Sequence, residues 1–245
     1  MELEEDTVAE SQLIVERAPV ASVGETLTIV LNRPDKVNAM TESMLTAMDA
    51  ALDEAERDDE IRVVMLRGTG SRGFCAGLDR GEMDRYAEQN IRPAGNVAEM
   101  YRIAKRIDLL PKPVVSLVHG HCIGAGTQIA AAADIVIASE GAKISEPEPR
   151  MGGFADDEWL RRIGHVMGPM RAKSYLLIGV PLSGREAVEA GIASMVVPDA
   201  ELLDTGLRVA DRLADMRPAI VAKTLQLIDE GATGGWRAAT LVVTP

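Results

Sequence analysis

A chain of 245 residues holds one good-sized core, with or without a small appendage. Its 47% apolar and 26% charged residues describe a folded globular protein, not a disordered one. The net charge of −12 excludes nucleic acid as the main partner, which needs a basic surface, and leaves room for one anionic ligand on a local basic patch.

With aromatic residues at 3%, the core has to be built from Val, Ile, Leu, Met and Ala. Two cysteines are too few for a disulfide framework and suit a reducing cytoplasm. The start, MELEEDTVAESQ, is acidic and lacks the basic and apolar blocks of a signal peptide, so residues 1–11 read as a flexible tail.

Leu13–Glu16 and Leu27–Leu31 read as short strands joined by a turn at Val23-Gly24-Glu25. From Thr41, the apolar residues Met44, Met48, Ala51, Leu52 and Ala55 recur at spacings of three and four, which predicts an amphipathic helix ending in the charged run Glu56–Glu60. Ile61–Leu66 reads as a buried strand that enters a glycine-rich loop, and a helix follows that loop. A second helical stripe over Val97, Met100, Tyr101, Ala104 and Ile107 is stopped by Pro111-Lys112-Pro113.

Residues 114–139, VVSLVHGHCIGAGTQIAAAADIVIAS, repeat the same plan of strand, Gly loop and helix, and Ile135–Ala138 returns as a strand. The stretch is apolar enough to raise the membrane question. Its glycines, Gln128, Asp134 and two histidines argue against a spanning helix. Helical periodicity resumes at Trp159 through Leu160, Ile163, Val166 and Met167, and a further helix covers about 169–178. Ser183-Gly184-Arg185-Glu186 is a capping box that opens a helix ending before Gly191. Helices over about 200–215 and 218–229 complete the pattern. Strand–helix alternation predicts an α/β core with parallel pairing.

The two Gly loops are the features that suggest chemistry. A Gly turn at a helix start leaves backbone N–H groups pointing outward, where they favour negative charge. Two such units can aim two donors at one carbonyl oxygen. Gly124-Ala125-Gly126 is not a dinucleotide fingerprint, because Ile129 stands where the third glycine belongs. The spacing Gly68 to Gly73 is not a nucleotide P-loop, because Phe74 follows in place of Lys.

Asn32-Arg33-Pro34…Asn38-Ala39-Met40, Gly73-Phe74-Cys75-Ala76-Gly77-Leu78-Asp79 and Gly120…Gly124-Ala125-Gly126…Ala133-Asp134 together resemble the enoyl-CoA hydratase/isomerase (crotonase) family. Ala190-Gly191-Ile192-Ala193-Ser194-Met195-Val196-Val197-Pro198 resembles that family's late helix–strand signature. The resemblance covers about residues 12–230. It implies an α/β crotonase-like spiral of ββα turns over 12–198, and a helical trimerisation region over 199–245. It also implies an acyl-CoA thioester ligand, with no separate cofactor, and assembly as a homotrimer or hexamer; composition and spacing add the expectations of no metal, no membrane or nucleic-acid partner, and a cytoplasmic location. Relatives usually continue through another helix beyond the position of Trp236, which implies a shortened C-terminal region with altered assembly or affinity.

The same resemblance implies an oxyanion hole made by the N–H groups of Leu78 and Ala125. The CoA pocket it implies uses Lys36, Val37 and Ala39, with Ala76, Gly77 and Gly124. The family's two principal acid/base positions fall on Gln128 and Glu148. Asp156 matches a third acidic position, used by dienoyl-CoA isomerases and resembling the nucleophile of aryl-CoA dehalogenases. Gln128 is the departure, since an amide neither takes nor gives a proton at neutral pH. Hydration ordinarily uses both carboxylates, whereas moving a double bond needs one base, so isomerisation fits somewhat better than hydration. The rival expectation is an acyl-CoA-binding protein that has lost catalysis.

Plainer readings stand beside these. Glu148 also reads as a solvated loop carboxylate paired with Arg150, and Asp156 as a helix-start charge complementing the dipole. Gln128 also reads as a pocket filler. His119 and His121 read as hydrogen-bonded structural residues more readily than as bases. Cys75 and Cys122 read as buried free thiols, their spacing being wrong for zinc.

Overall fold

Long apolar runs need cover on both faces. In the computed structural model, which describes residues 11–20, 23–89, 95–151 and 157–234, they form a six-stranded sheet. The acidic segment 1–10, Asp156, and the stretch from 235 with Trp236 lie outside the described residues.

β1 (Leu13–Pro19) and β2 (Glu25–Leu31) pair antiparallel, so Glu25 already belongs to the strand and not to the turn. β3 (Ile61–Gly68), β4 (Val114–Val118), β6 (Ile135–Ser139) and β9 (Met195–Val197) extend the sheet in parallel, in the order β1-β2-β3-β4-β6-β9. The period of two is visible in β3. Val64 and Leu66 enter the large core under α1 (Glu42–Arg57) and α3 (Gly95–Asp108), while Val63 and Met65 face Leu202, Ala210 and Ala214 of α8 (Leu202–Ala214).

Helix α1 forms where the three-and-four spacing predicts. Met44, Leu45, Met48, Ala51, Leu52 and Ala55 are all buried, and the Thr41 hydroxyl caps it by accepting the Met44 N–H at 3.3 Å. Phe74 apart, the largest fully buried side chains are Leu, Ile and Met, as the low aromatic content requires.

A second, three-stranded sheet has no counterpart in the sequence reading. β5 (His121–Ile123), β7 (Lys143–Ser145) and β8 (Leu182–Ser183) pair in the order β5-β7-β8. The loop after β4 is therefore partly a strand, which leads into α4 (Ala125–Ala131). α5 (Asp157–Met167) and α6 (Pro169–Ile178) pack on each other, and α7 (Gly184–Glu189) and α9 (Pro218–Gly234) follow.

Candidate active site

Parallel pairing of β3 and β4 sends their Gly loops out of the same end of the sheet, where open α/β sheets place their ligands. The loops are then joined by main-chain hydrogen bonds. Phe74 N–H donates to His119 O at 2.8 Å, Cys75 N–H to His121 O at 3.1 Å, and Ile123 N–H to Cys75 O at 2.9 Å. The first loop runs into α2 (Arg80–Glu88), capped by the Asp79 carboxylate, and the second into α4.

This register brings Leu78 and Ala125 to one place. Leu78 bridges Met40: Met40 N–H donates to Gly77 O at 2.8 Å and Asp79 N–H to Met40 O at 2.8 Å. The Leu78 N–H therefore points away from Met40, because successive peptide groups on an extended strand alternate sides. It has no hydrogen-bond partner among the described residues, nor does the N–H of Ala125 at the first position of α4. Gly77 lies between them, with φ +99°; a methyl group added there would stand 3.7 Å from Ala125 N. Leu78 N is the next atom beyond the Gly77 carbonyl carbon.

A third segment braces the first loop. Val37 and Asn38 both adopt left-handed backbone, at φ 50° and 55°, which is costly for a β-branched residue. The surroundings hold them there. Asn38 Nδ2 donates to Thr69 O and Gly73 O at 2.9 Å each, its Oδ1 accepts the Arg33 N–H, and Val37 O accepts the Ala76 N–H at 2.8 Å. Lys36–Ala39 and Ala76–Gly77 are thus neighbours, with Lys36 exposed beside them. Arg33 also pairs with Asp79 at 2.9 Å. Burial pushes the Asp79 carboxyl up, but the Arg33 hydrogen bond and the Glu82 N–H outweigh burial and hold it below the usual range.

The carboxylates enter from β7. Gly124 N–H donates to Ser145 O at 2.8 Å, so the residues after Ser145 pass directly under the second Gly loop. Glu148 opens a short 3-10 turn, and its carboxyl lies against the Gly124 Cα: a methyl at 124 would be 2.2 Å from Glu148 Oε1. Glu148 Oε2 is buried with no hydrogen-bond donor among the described residues. Arg150 is not its partner; that guanidinium donates to Ile178 O at 2.5 Å. The reading of Glu148 as a solvated carboxylate paired with Arg150 is therefore corrected.

Gln128, on α4, is buried, and its Nε2 donates to Glu146 Oε2 at 3.3 Å. Glu146 is the residue that sequence reasoning passed over. It is 0% exposed, and burial followed by the neighbouring Glu148 charge pushes its carboxyl well above the usual range. The available signal was the pair of glutamates flanking Pro147, but nothing local tells the buried one from the half-buried one. Trp159 of α5, Tyr175 of α6 and Cys122 of β5 complete its surroundings.

His119 shares a 2.9 Å hydrogen bond with Gly70 O, and His121 is exposed. Both thiols are free and buried; burial pushes Cys75 up to about 12 and drives Cys122 upward as well, which leaves them un-ionised and inert. Among the described residues no group of His, Cys, Asp and Glu is arranged to hold a metal ion, and no helix is long and apolar enough to cross a membrane.

Comparison with known proteins places the chain in a family. Residues 23–236 match the family model described as enoyl-CoA hydratase/isomerase. The short-chain-enoyl-CoA hydratase of Clostridium acetobutylicum is 31% identical over 208 residues, covering 85% of this chain and 79% of its own. The 1,2-epoxyphenylacetyl-CoA isomerase of Escherichia coli is 36% identical over 198 residues, covering 77% and 72%. Among solved structures, an enoyl-CoA hydratase from Bacillus anthracis superposes with a TM-score of 0.83 at 28% identity, over 90% of this chain and 83% of that one. The chain has the crotonase fold and belongs to the enoyl-CoA hydratase/isomerase family.

Proposed function

We propose that the protein moves a double bond in an acyl-CoA thioester, with Glu148 as the single base and the N–H groups of Leu78 and Ala125 as the oxyanion hole. One observation carries the reading: the Glu148 carboxyl packs on the Cα of the glycine that precedes Ala125. In this reading the base stands beside the two unspent donors, where an acyl carbonyl and its α-carbon would sit. Glu148 removes a proton from the carbon adjacent or vinylogous to the carbonyl. The electrons pass to the thioester oxygen, whose charge the two N–H groups receive, and the proton returns at another carbon as the carbonyl re-forms. Glu148 is regenerated at the end of the cycle.

Gln128 orients without titrating, which favours isomerisation over hydration. Asp156 would serve as a second acid/base. The backbone of Lys36, Val37, Ala39, Ala76, Gly77 and Gly124 would line the CoA end, with Lys36 free to meet a phosphate. Relatives named for hydration and for isomerisation both match, so the substrate has to be found by assay.

Turnover of crotonyl-, 3-enoyl- and dienoyl-CoA, beside calorimetric titration of the same thioesters, decides the matter. Wild-type protein is expected to isomerise a 3-enoyl- or dienoyl-CoA. Glu148→Ala is expected to lose about 10²- to 10⁴-fold in turnover, the usual worth of a general base, while binding survives. Tight binding without any product would instead indicate an acyl-CoA sensor or scaffold.

A further inference from the structure

Glu146 is buried more deeply than any group the proposed chemistry uses, and its environment does not suit an anion. Gln128 Nε2 donates to Glu146 Oε2, while Glu146 Oε1 makes no hydrogen bond among the described residues; the Trp159 indole N–H, itself unpaired, stands beside the carboxyl but offsets its burial only in small part. Glu148 Oε2, the buried oxygen of the facing carboxyl, is orphaned in the same way. One proton between the two carboxyls gives each of these oxygens a partner. An O–H on Glu146 Oε1 donates to Glu148 Oε2, and Glu146 Oε2 remains free to accept from Gln128. Two bare carboxylates so placed would repel in a medium of low dielectric.

We propose that Glu146 is a positioning residue: a neutral carboxylic acid, oriented by Gln128, that donates a hydrogen bond to Glu148 and fixes that base against Gly124. This rests on the reading of Glu148 as the base. It also gives the departure at 128 a purpose, because an amide N–H holds the acid's carbonyl oxygen, which a second carboxylate at that position would repel. The groups facing Glu146 are Gln128 from α4, Cys122 from β5, Glu148 from the turn after β7, Trp159 from α5 and Tyr175 from α6. None of them is a cation, and burial raises both Cys122 and Tyr175 well above their usual ranges, so among the described residues the acid has no ion partner that would ionise it.

The test compares Glu146→Leu, Glu146→Gln and Glu148→Gln in the full chain, on whichever of crotonyl-, 3-enoyl- or dienoyl-CoA the wild type turns over. Glu146→Leu removes the donor. Its kcat is expected to fall about tenfold to hundredfold with KM little changed, the worth of one hydrogen bond to a charged group. The acid limb of its kcat/KM profile is expected to move about one to two pH units upward. Glu146→Gln keeps an N–H donor and is expected to recover most of the rate and the wild-type limb. The wild-type infrared spectrum at neutral pH is expected to contain a neutral carboxylic acid band that Glu146→Gln lacks, a readout that holds even if Glu146→Leu fails to fold.

An unchanged rate and profile in Glu146→Leu, equal impairment in both Glu146 variants, or no difference in that band would overturn the inference. A fully active Glu148→Gln would instead remove the reading of Glu148 on which it rests.

Discussion

A methyl group at position 124 would lie 2.2 Å from Glu148 Oε1, on backbone whose φ of +55° already disfavours any side chain. Gly124→Ala must therefore push the Glu148 carboxyl away from the two N–H donors or shift the loop that carries one of them. A displacement near 1 Å costs about a hundredfold in rate, so kcat should fall by at least that much, and wild-type kcat would refute the placement of Glu148. Glu146 yields a prediction about stability. Folded, it keeps its proton well above the usual range; unfolded, it ionises above about pH 4.5. The folded state then binds the extra proton, so this group makes stability fall as pH rises from about 4.5 toward its folded value. Glu146→Gln removes that slope. Its melting temperature should gain on the wild type as pH rises above about 5, with the gap closing below about pH 4.5; a gap that is constant with pH would contradict a buried neutral acid.

Among the elements, those whose partners lie close in sequence were legible. The Ser183 box is one: Ser183 Oγ accepts the Glu186 N–H at 3.3 Å, and Glu186 Oε2 accepts the Ser183 N–H at 2.8 Å. Ser183→Ala should cost about 0.5–2 kcal/mol by chemical denaturation, and no loss would mean that the cap is redundant. Helix α1 was legible for a similar reason, since its stripe of buried Met, Leu and Ala is its own signal. The strands β5, β7 and β8 were not. They are two or three residues long, too short for a period of two to show, and their partners stand some twenty to forty residues away. That hidden sheet carries the carboxylates to Gly124. The sequence could thus mark Glu148 through the family's motifs, but not the neighbour that packing buries, because the groups around Glu146 come from α4, β5, α5 and α6.

At the scale of the molecule, both faces of the parallel sheet are covered, and apolar surface remains elsewhere. Met170, Leu177 and Val180, on and just beyond α6, are 87%, 67% and 62% exposed, and Ile228 on α9 is 63% exposed. The homotrimer or hexamer expected from the sequence resemblance would need such surfaces. Light scattering should then give three or six times the 26.2 kDa chain, with Met170→Glu shifting the mass downward; a wild-type monomer would refute it. The sheet also underlies the proposed chemistry, because the parallel pairing of β3 and β4 brings their two Gly loops out at one end. The most direct measurement is a crystal structure with a bound acyl-CoA. The thioester oxygen should lie about 2.7–3.1 Å from both Leu78 N and Ala125 N, with Glu148 the carboxylate nearest the α-carbon. An oxygen held by neither N–H, or an α-carbon served by another carboxylate, would contradict the mechanism.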